Sequence, residues 1–193
     1  MSPQTFPAFT RDNSKATPPA ESGMRAAVVL RHEMTVVASS VADVVASTGG
    51  WLYDRRAAGW QVNVLVADRT GERALRILGA DIFDLDGDLE AFGGDPDTGG
   101  ASLAVAADLY TGDRRVRRLM SSPGSRRAEL ALWGDTASVP ETVCPVVHRL
   151  SSAAKAFKTQ ALMAADLSPD AVPATEALYR CGVTELARGT AQA

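Results

Sequence analysis

The stretch that decides the fold is residues 34–68, MTVVASSVADVVASTGGWLYDRRAAGWQVNVLVAD. Its β-branched run over 35–38 predicts a buried strand, and the two serines that follow are suited to cap a helix. Apolar side chains at helical spacing predict a helix over 41–58, ending at Gly59, the residue best suited to a left-handed C-cap. A second apolar run over 62–66 follows at once. The stretch therefore predicts a βαβ unit with two parallel strands.

The alternation of strand and helix continues along the chain. The pattern predicts a helix over 71–78, a strand over 81–85, an irregular Gly- and Asp-rich loop over 86–100, a helix over 102–110, a strand over 129–133, a short strand at 146–147 and a helix over 151–165. Elements in this order are typical of an open sheet with helices on both faces. The predicted fold class is α/β, a Rossmann-like three-layer α/β/α arrangement with a mostly parallel sheet.

The composition is that of a soluble globular protein. The 193 residues are 46% apolar and 22% charged, and the net charge is −3 at pH 7. A mildly acidic chain lacks the cationic field on which sequence-independent nucleic-acid binding depends, so no nucleic-acid partner is expected. Cys144 and Cys181 lie far apart, outside any Cys-x-x-Cys pair, and provide neither a disulfide framework nor zinc-finger ligands.

The ends of the chain differ in composition from its body. Residues 1–23 are rich in Pro, Ser and Thr and predict a disordered tail, because they cannot bury enough apolar surface to offset the entropy of ordering. We expect one domain over 24–185 and a flexible C-terminal tail over 186–193. No signal-peptide core is present, and no apolar run approaches the ~18 residues of a membrane span. These features favour a cytoplasmic protein without membrane contact.

Polar residues follow each predicted parallel strand, at the edge of the sheet where α/β proteins bind ligands. They are Ser39, Ser40 and Asp43 after the first strand, Asp68 and Arg69 after the second, Asp84, Asp86 and Asp88 after the third, and Asp135 after the fourth. Carboxylates in this position suit a divalent cation or the hydroxyl groups of a sugar. The alternative is that they are ordinary solvated loop acids.

The spacing of small and acidic residues over 36–88 carries a family resemblance. Residues 39–44, Ser-Ser-Val-Ala-Asp-Val, precede Gly49-Gly50, a helix, a strand and the turn 67–72, Ala-Asp-Arg-Thr-Gly-Glu. This order resembles the PIG-L/LmbE family of zinc-dependent deacetylases, which opens with Ala-His-Pro-Asp-Asp-Glu, then Gly-Gly, a helix, a strand and a Thr-Asp-Gly turn. Residues 158–162, Lys-Thr-Gln-Ala-Leu, are similar to the family's late Lys-x-x-Ala-Leu helix. The resemblance implies a Rossmann-like fold and N-acetylglucosamine-type substrates.

The departures from the family pattern fall on its zinc site. The motif His, a zinc ligand in the family, corresponds to Ser40, and the Asp expected to act as general base corresponds to Ala42. The ligand-position Asp is kept as Asp43, but the family's later His-x-Asp-His segment is missing. Catalytic zinc needs three protein ligands and an open position for water. The resemblance therefore implies a scaffold that has lost its metal centre, and no cofactor is expected.

Two further groups of residues are predicted to be structural rather than functional. His32, before the first strand, and His148, at the start of the late helix region, are interpreted as structural histidines rather than metal ligands. The arginine-rich run 114–118 is interpreted as a solvated helix face, the alternative being a grip for a phosphate or an acidic partner.

The favoured hypothesis is a pseudoenzyme, a non-catalytic binding or interaction protein on a PIG-L/LmbE-like scaffold. Its predicted partner is a sugar-like small molecule or another protein, and its predicted ligand-binding residues are Ser40, Asp43, Gly49, Gly50, Asp68 and Arg69. The alternative is an active metal-dependent, deacetylase-like hydrolase, or a transferase, that acts on a sugar or nucleotide through the acidic rim. A third possibility is a structural protein that docks through the Gly/Asp loop or the arginine run and pairs into a homodimer.

Overall fold

A computed structural model describes residues 32–92, 101–121, 129–139, 143–170 and 172–181. The strands in these residues are β1 (Glu33–Ser40), β2 (Gln61–Asp68), β3 (Asp81–Asp84), β4 (Ser102–Ala106), β5 (Glu129–Trp133), β6 (Val143–Arg149) and β7 (Thr175–Cys181). The helices are α1 (Val41–Ala57), α2 (Arg73–Ile77), α3 (Leu85–Asp88), α4 (Ala107–Gly112), α5 (Arg114–Ser121) and α6 (Ser152–Ala164), with a 3₁₀ turn at Leu89–Phe92. The predicted tails, 1–23 and 186–193, lie outside the described residues.

The described strands form one sheet with the order β3-β2-β1-β4-β5-β7-β6. Strands β1 to β5 are parallel, β7 runs antiparallel to β5, and β6 runs antiparallel to β7. Helices cover both faces: Val44 of α1 and Leu162 of α6 pack on one, and Tyr110 of α4 and Leu119 of α5 pack on the other. The α/β class with a mostly parallel sheet is therefore confirmed. Within the described residues, no helix is long and apolar enough to cross a membrane.

The βαβ unit forms as its sequence predicts. Ser40 caps α1, and its side chain accepts a hydrogen bond from the backbone N–H of Asp43 at 3.3 Å. After α1, Gly59 has φ +90°, the left-handed conformation that favours glycine. The same logic holds for α6, where Ser151 is the N-cap. Local capping chemistry thus explains where these helices begin and end.

The prediction of a helix over 102–110 is wrong for its first half. Residues 102–106, Ser-Leu-Ala-Val-Ala, form β4, which is buried throughout in the middle of the sheet, and only then does α4 begin. A strand covered on both faces shows no alternation, so a short apolar run of this kind cannot be told from a helix by periodicity. The consequence is that Asp108, in the first turn of α4, follows a parallel strand.

The remaining differences are smaller. The strand at 146–147 extends over Val143–Arg149, and the chain adds β7, which the pattern did not predict. The first part of the predicted Gly/Asp loop is helical, because Asp84 caps α3 by accepting from the N–H groups of Asp86 and Gly87. Residues 93–100 of that loop lie outside the described residues.

An ion pair lies inside the core, between α6 and β7. Lys158 Nζ and Glu176 Oε1 are 2.6 Å apart, and each side chain is 1% exposed. Lys158 also donates to the carbonyl of Ala46 at 2.6 Å. The N–H groups of Gly50 and Trp51 donate to the two Glu176 oxygens, at 2.9 Å and 2.7 Å. The pair therefore binds backbone groups midway along α1 and joins α1, α6 and β7.

A second polar contact fixes the other half of α1. His148 Nε2 in β6 lies 2.8 Å from Asp54 Oδ2 in α1, and the Ser151 N–H donates to the same oxygen at 3.2 Å. Burial raises the pKa of Asp54, but hydrogen bonds from Ser151 and His148 outweigh it and hold the pKa below its ordinary value of 3.8. His148 thus lies in β6 rather than at the start of the late helix, and it makes a structural contact there.

The first prediction concerns the core ion pair. Glu176→Gln should lower the free energy of unfolding by about 3 kcal/mol, because it leaves a buried ammonium without its counter-ion. Glu72→Gln is the matched control: Glu72 pairs with Arg69 and Arg76 at the surface, where the expected loss is under ~1 kcal/mol. Urea unfolding at neutral pH measures both. Equal losses in the two variants would contradict a special role for the core pair.

The second prediction concerns pH. Because the folded-state pKa of Asp54 is depressed, its contribution to stability is present above its unfolded pKa and is lost as the pH falls through the folded value. Asp54→Asn should therefore show a shallower fall in unfolding free energy than the parent between about pH 5 and pH 2. Asp81→Asn, at an exposed carboxylate, is the control and should keep the parent's slope. An unchanged slope in Asp54→Asn would refute the interpretation.

Candidate functional site

A cavity of about 340 Å³ opens at the edge of the sheet where β1, β4 and β5 end. The residues that line it follow those strands or lie in the first turns of the next helices: Asp43, Ala106, Ala107, Asp108, Thr111, Trp133, Gly134, Asp135 and Ser138. Ligands of open α/β sheets bind beyond the carboxyl ends of the strands, and this cavity occupies that position. It is therefore the candidate functional site.

Asp43 is the one predicted ligand-binding residue that lines this cavity. It lies in the first turn of α1, and both of its carboxylate oxygens accept hydrogen bonds. Ser47 Oγ donates to Oδ1 at 3.0 Å, and the indole Nε1–H of Trp133 donates to Oδ2 at 3.0 Å. Trp133 is the last residue of β5 and is 1% exposed, so its ring is fixed by the core. The contact joins α1 to the end of β5.

Two other carboxylates face the same cavity. Asp108 accepts a hydrogen bond on Oδ2 from Ser39 Oγ at 2.9 Å, and Asp135 accepts one on Oδ1 from the Ala137 N–H at 2.9 Å. Within the described residues, no hydrogen bond reaches the second oxygen of either carboxylate. Asp135 is among the predicted rim residues, whereas Asp108 is not, because the sequence pattern predicts a helix where the structure has β4. The sequence signal for Asp108 is the run of small and apolar residues directly before it, which is compatible with a buried strand.

The other predicted rim residues lie outside the cavity lining. Ser40 and Asp68 are opposite each other in the β1–β2 register, but Ser40 caps α1. Asp68 accepts from the Thr70 N–H at 2.8 Å, which lowers the pKa of Asp68. Arg69 forms an ion pair with Glu72 at 2.6 Å. Their side chains thus make local contacts.

The predicted third-strand acids and the arginine run also make local contacts. Asp84 caps α3, and Asp88 accepts from the Asp84 N–H. Arg115 pairs with Asp86 and Asp113, each at 2.8 Å, on an exposed face of α5. The acidic rim is therefore divided: Asp43, Asp108 and Asp135 share the cavity, and the others do not line it.

Gly49 and Gly50 are buried in the middle of α1, away from the cavity lining. A Cβ on Gly50 would lie 2.2 Å from Leu150 Cδ2 and 3.1 Å from Glu176 Oε1. A Cβ on Gly49 would lie 3.3 Å from Leu78 Cδ1. Both positions thus have a packing role, since α1 approaches its neighbours most closely there.

The zinc that the family resemblance implies does not fit these residues. The chain has two histidines, and neither lines the cavity: His32, which precedes β1, stacks on Trp60, and His148 contacts Asp54. No group of three His, Cys, Asp or Glu residues in the described part of the chain is placed to hold a metal ion. Catalytic zinc needs three protein ligands.

Comparison with known proteins gives a fold but no family assignment. No protein-family model matches the chain, and no curated protein matches it. Among the solved structures that match, three are similar over 77% of this chain. They are the A40926 pseudoaglycone deacetylase Dbv21 (14% identity, TM-score 0.53, 96% of that chain), a triple mutant of a deacetylase involved in the teicoplanin biosynthetic pathway (10%, 0.55, 97%), and a deacetylase–teicoplanin complex (11%, 0.51, 97%).

These neighbours are deacetylases, and they share the α/β fold with a mostly parallel sheet that the sequence predicts. At 10–14% identity the likeness establishes the fold alone. Activity in a neighbour is therefore not transferred to this chain, since one fold hosts many functions.

The third prediction tests the packing role of Gly50. Gly50→Ala should lower the free energy of unfolding by about 1–3 kcal/mol, because the added methyl overlaps Leu150. Gly112→Ala is the control, since a Cβ there meets nothing within 4 Å, and its stability should not fall. Chemical unfolding measures both variants. A stable Gly50→Ala protein would show that α1 adjusts to the methyl and that the close approach is not required.

Proposed function

We propose that this protein is a non-catalytic binding protein that holds a small sugar-like molecule in the cavity at the ends of β1, β4 and β5. The observation that carries the proposal is the state of Asp43. Its two oxygens accept from Ser47 and from the Trp133 indole, so the carboxylate acts as a structural acceptor between α1 and β5. Among the described residues that line the cavity, no histidine or cysteine lies beside Asp43 to complete a zinc site.

The lining of the cavity supports a hydroxyl- or amine-bearing ligand. Asp108 and Asp135 each keep a carboxylate oxygen able to accept a hydrogen bond from such a group. Thr111 and Ser138 add hydroxyls to the wall, and the lining residues that the structure describes include no Lys or Arg. Anionic ligands such as phosphates are disfavoured by this charge, whereas sugars and amino sugars are compatible with it.

The fourth prediction tests this site directly. D-glucosamine should bind the purified protein, and Asp108→Asn should weaken that binding about ten-fold, since a hydrogen bond to a charged group contributes ~1.5 kcal/mol or more. Asp81→Asn removes an exposed acid from the opposite edge of the sheet and should leave the affinity unchanged. Isothermal titration calorimetry measures all three proteins. An Asp108→Asn affinity equal to that of the parent would reject this cavity as the site.

The alternative function is an active metal-dependent, deacetylase-like hydrolase or a transferase, and the shared fold is the observation that favours it. Metal analysis after incubation with zinc and desalting distinguishes the binding protein from the metal-dependent enzyme. Our proposal expects far less than one zinc per chain and no acetate release from N-acetylglucosamine. Stoichiometric zinc that is lost in Asp43→Asn, together with acetate release, would establish the enzyme instead.

A further inference from the structure

Strand β6 forms an open edge of the sheet. It is the last strand in the strand order, and no strand among the described residues pairs with its other side. The backbone N–H and C=O groups of an edge strand are a template on which another strand can add. Val147, in the second half of β6, is 67% exposed, more than any other large hydrophobic side chain of the described residues. The edge thus offers backbone groups and an apolar side chain together.

The pairing with β7 determines which backbone groups of β6 are open. Just beyond β6, the N–H of Leu150 donates to the carbonyl of Ala174 at 3.0 Å. Residues of an antiparallel pair alternate between hydrogen-bonded and non-hydrogen-bonded positions. The even-numbered residues of β6 therefore direct their backbone groups to β7, and the odd-numbered residues direct theirs outward. Pro145 is consistent with this, because proline is tolerated in an edge strand where the missing N–H would face solvent.

We propose that β6 is a homodimer interface, in which it pairs antiparallel with β6 of a second copy in a register centred on Val146. In this register the outward N–H of Val147 meets the carbonyl of Pro145 of the second copy. The N–H of Val143 meets the carbonyl of Arg149 of the second copy, and the reverse bond also forms. Such a contact uses the same surface on both copies, as two-fold dimers do. The sheet then continues through both copies.

The side chains of the odd-numbered residues support this register. Val147 of one copy lies opposite Pro145 of the other, so an apolar ring covers the exposed valine. In the same layer, Tyr179 of β7 is paired with Pro145, and Ala177 of β7 is paired with Val147. A row of apolar side chains therefore crosses both copies of β6 and ends on β7 at each side. The described lining of the cavity includes no residue of β6, so the dimer leaves the cavity open.

The charges favour β6 over the other edge of the sheet. Strand β6 contains no Asp or Glu, and its basic residues are His148 and Arg149. In the proposed register, each of them lies opposite an uncharged residue of the second copy. Strand β3, at the opposite edge, begins with Asp81 and ends with Asp84. A two-fold antiparallel pairing of β3 would place these carboxylates opposite each other, which is destabilising.

Sedimentation equilibrium of the full chain over a concentration series tests the dimer. The parent should approach twice the 20.3 kDa mass of one chain. Val147→Lys should reduce that mass by half, because a lysine on an edge strand opposes strand addition. Met163→Lys is the control, since it removes a side chain of α6 that is 54% exposed, and it should stay dimeric. A monomeric parent, a dimer that survives Val147→Lys, or one lost equally in Met163→Lys overturns the proposal.

Disulfide trapping tests the register. In a Cys144→Ser background, Val146→Cys places the two new thiols opposite each other in a non-hydrogen-bonded pair, where side chains approach most closely. Mild oxidation should then give a covalent dimer on a non-reducing gel. Arg149→Cys in the same background is the control, because its mate lies roughly 20 Å along the strands, beyond the reach of a disulfide. No cross-link at Val146→Cys, or equal cross-linking in both variants, refutes this register.

Discussion

The rest of the structure depends on the ion pair between Lys158 and Glu176. It lies where α1, α6 and β7 meet, and it binds backbone groups of Ala46, Gly50 and Trp51 rather than side chains of α1. A buried charge pair is tolerated only when its remaining donors and acceptors are satisfied, and the helix backbone satisfies them here. The helix is consequently held at its middle, which sets the direction in which its first turn reaches the sheet edge.

That first turn carries Asp43, which connects the scaffold to the cavity. Asp43 contacts Ser47 within α1 and Trp133 at the end of β5. The same tryptophan lines the cavity, so one side chain serves as core, as hydrogen-bond donor and as part of the cavity wall. The close packing at Gly50 belongs to the same arrangement, because Leu150 and Glu176 approach the helix at that residue. Site and core are thus built from shared contacts.

Much of the fold was predictable because its signals are local. Ser40 and Gly59 delimit α1 through capping and a left-handed φ, and the alternation of elements gave the α/β class. Strand β4 was not predictable in this way, since its buried small residues carry no period. The prediction of the site is incomplete for the same reason, because Asp108 is recognisable as a rim residue only once β4 is known to be a strand. Asp43 and Asp135 were found by their place after strands.

The parts of the site that sequence reasoning could not find depend on contacts distant in the chain. The Trp133 indole meets Asp43 across 90 residues, and Glu176 meets Gly50 across 126. No spacing rule identifies such partners. The family pattern predicts Gly49 and Gly50 as ligand-binding residues, whereas in the structure each of them has a close neighbour in the core.

The strand order also has a consequence for folding of the chain during its synthesis. Strand β7 is the last described strand in sequence, yet it lies between β5 and β6 and supplies Glu176. Until the ribosome has released residues 175–181, β6 has no neighbour in the sheet and the Lys158 ammonium has no counter-ion. A chain that stops short of β7 therefore lacks the partner of β6 and the counter-ion of Lys158, and such a chain is prone to misfolding.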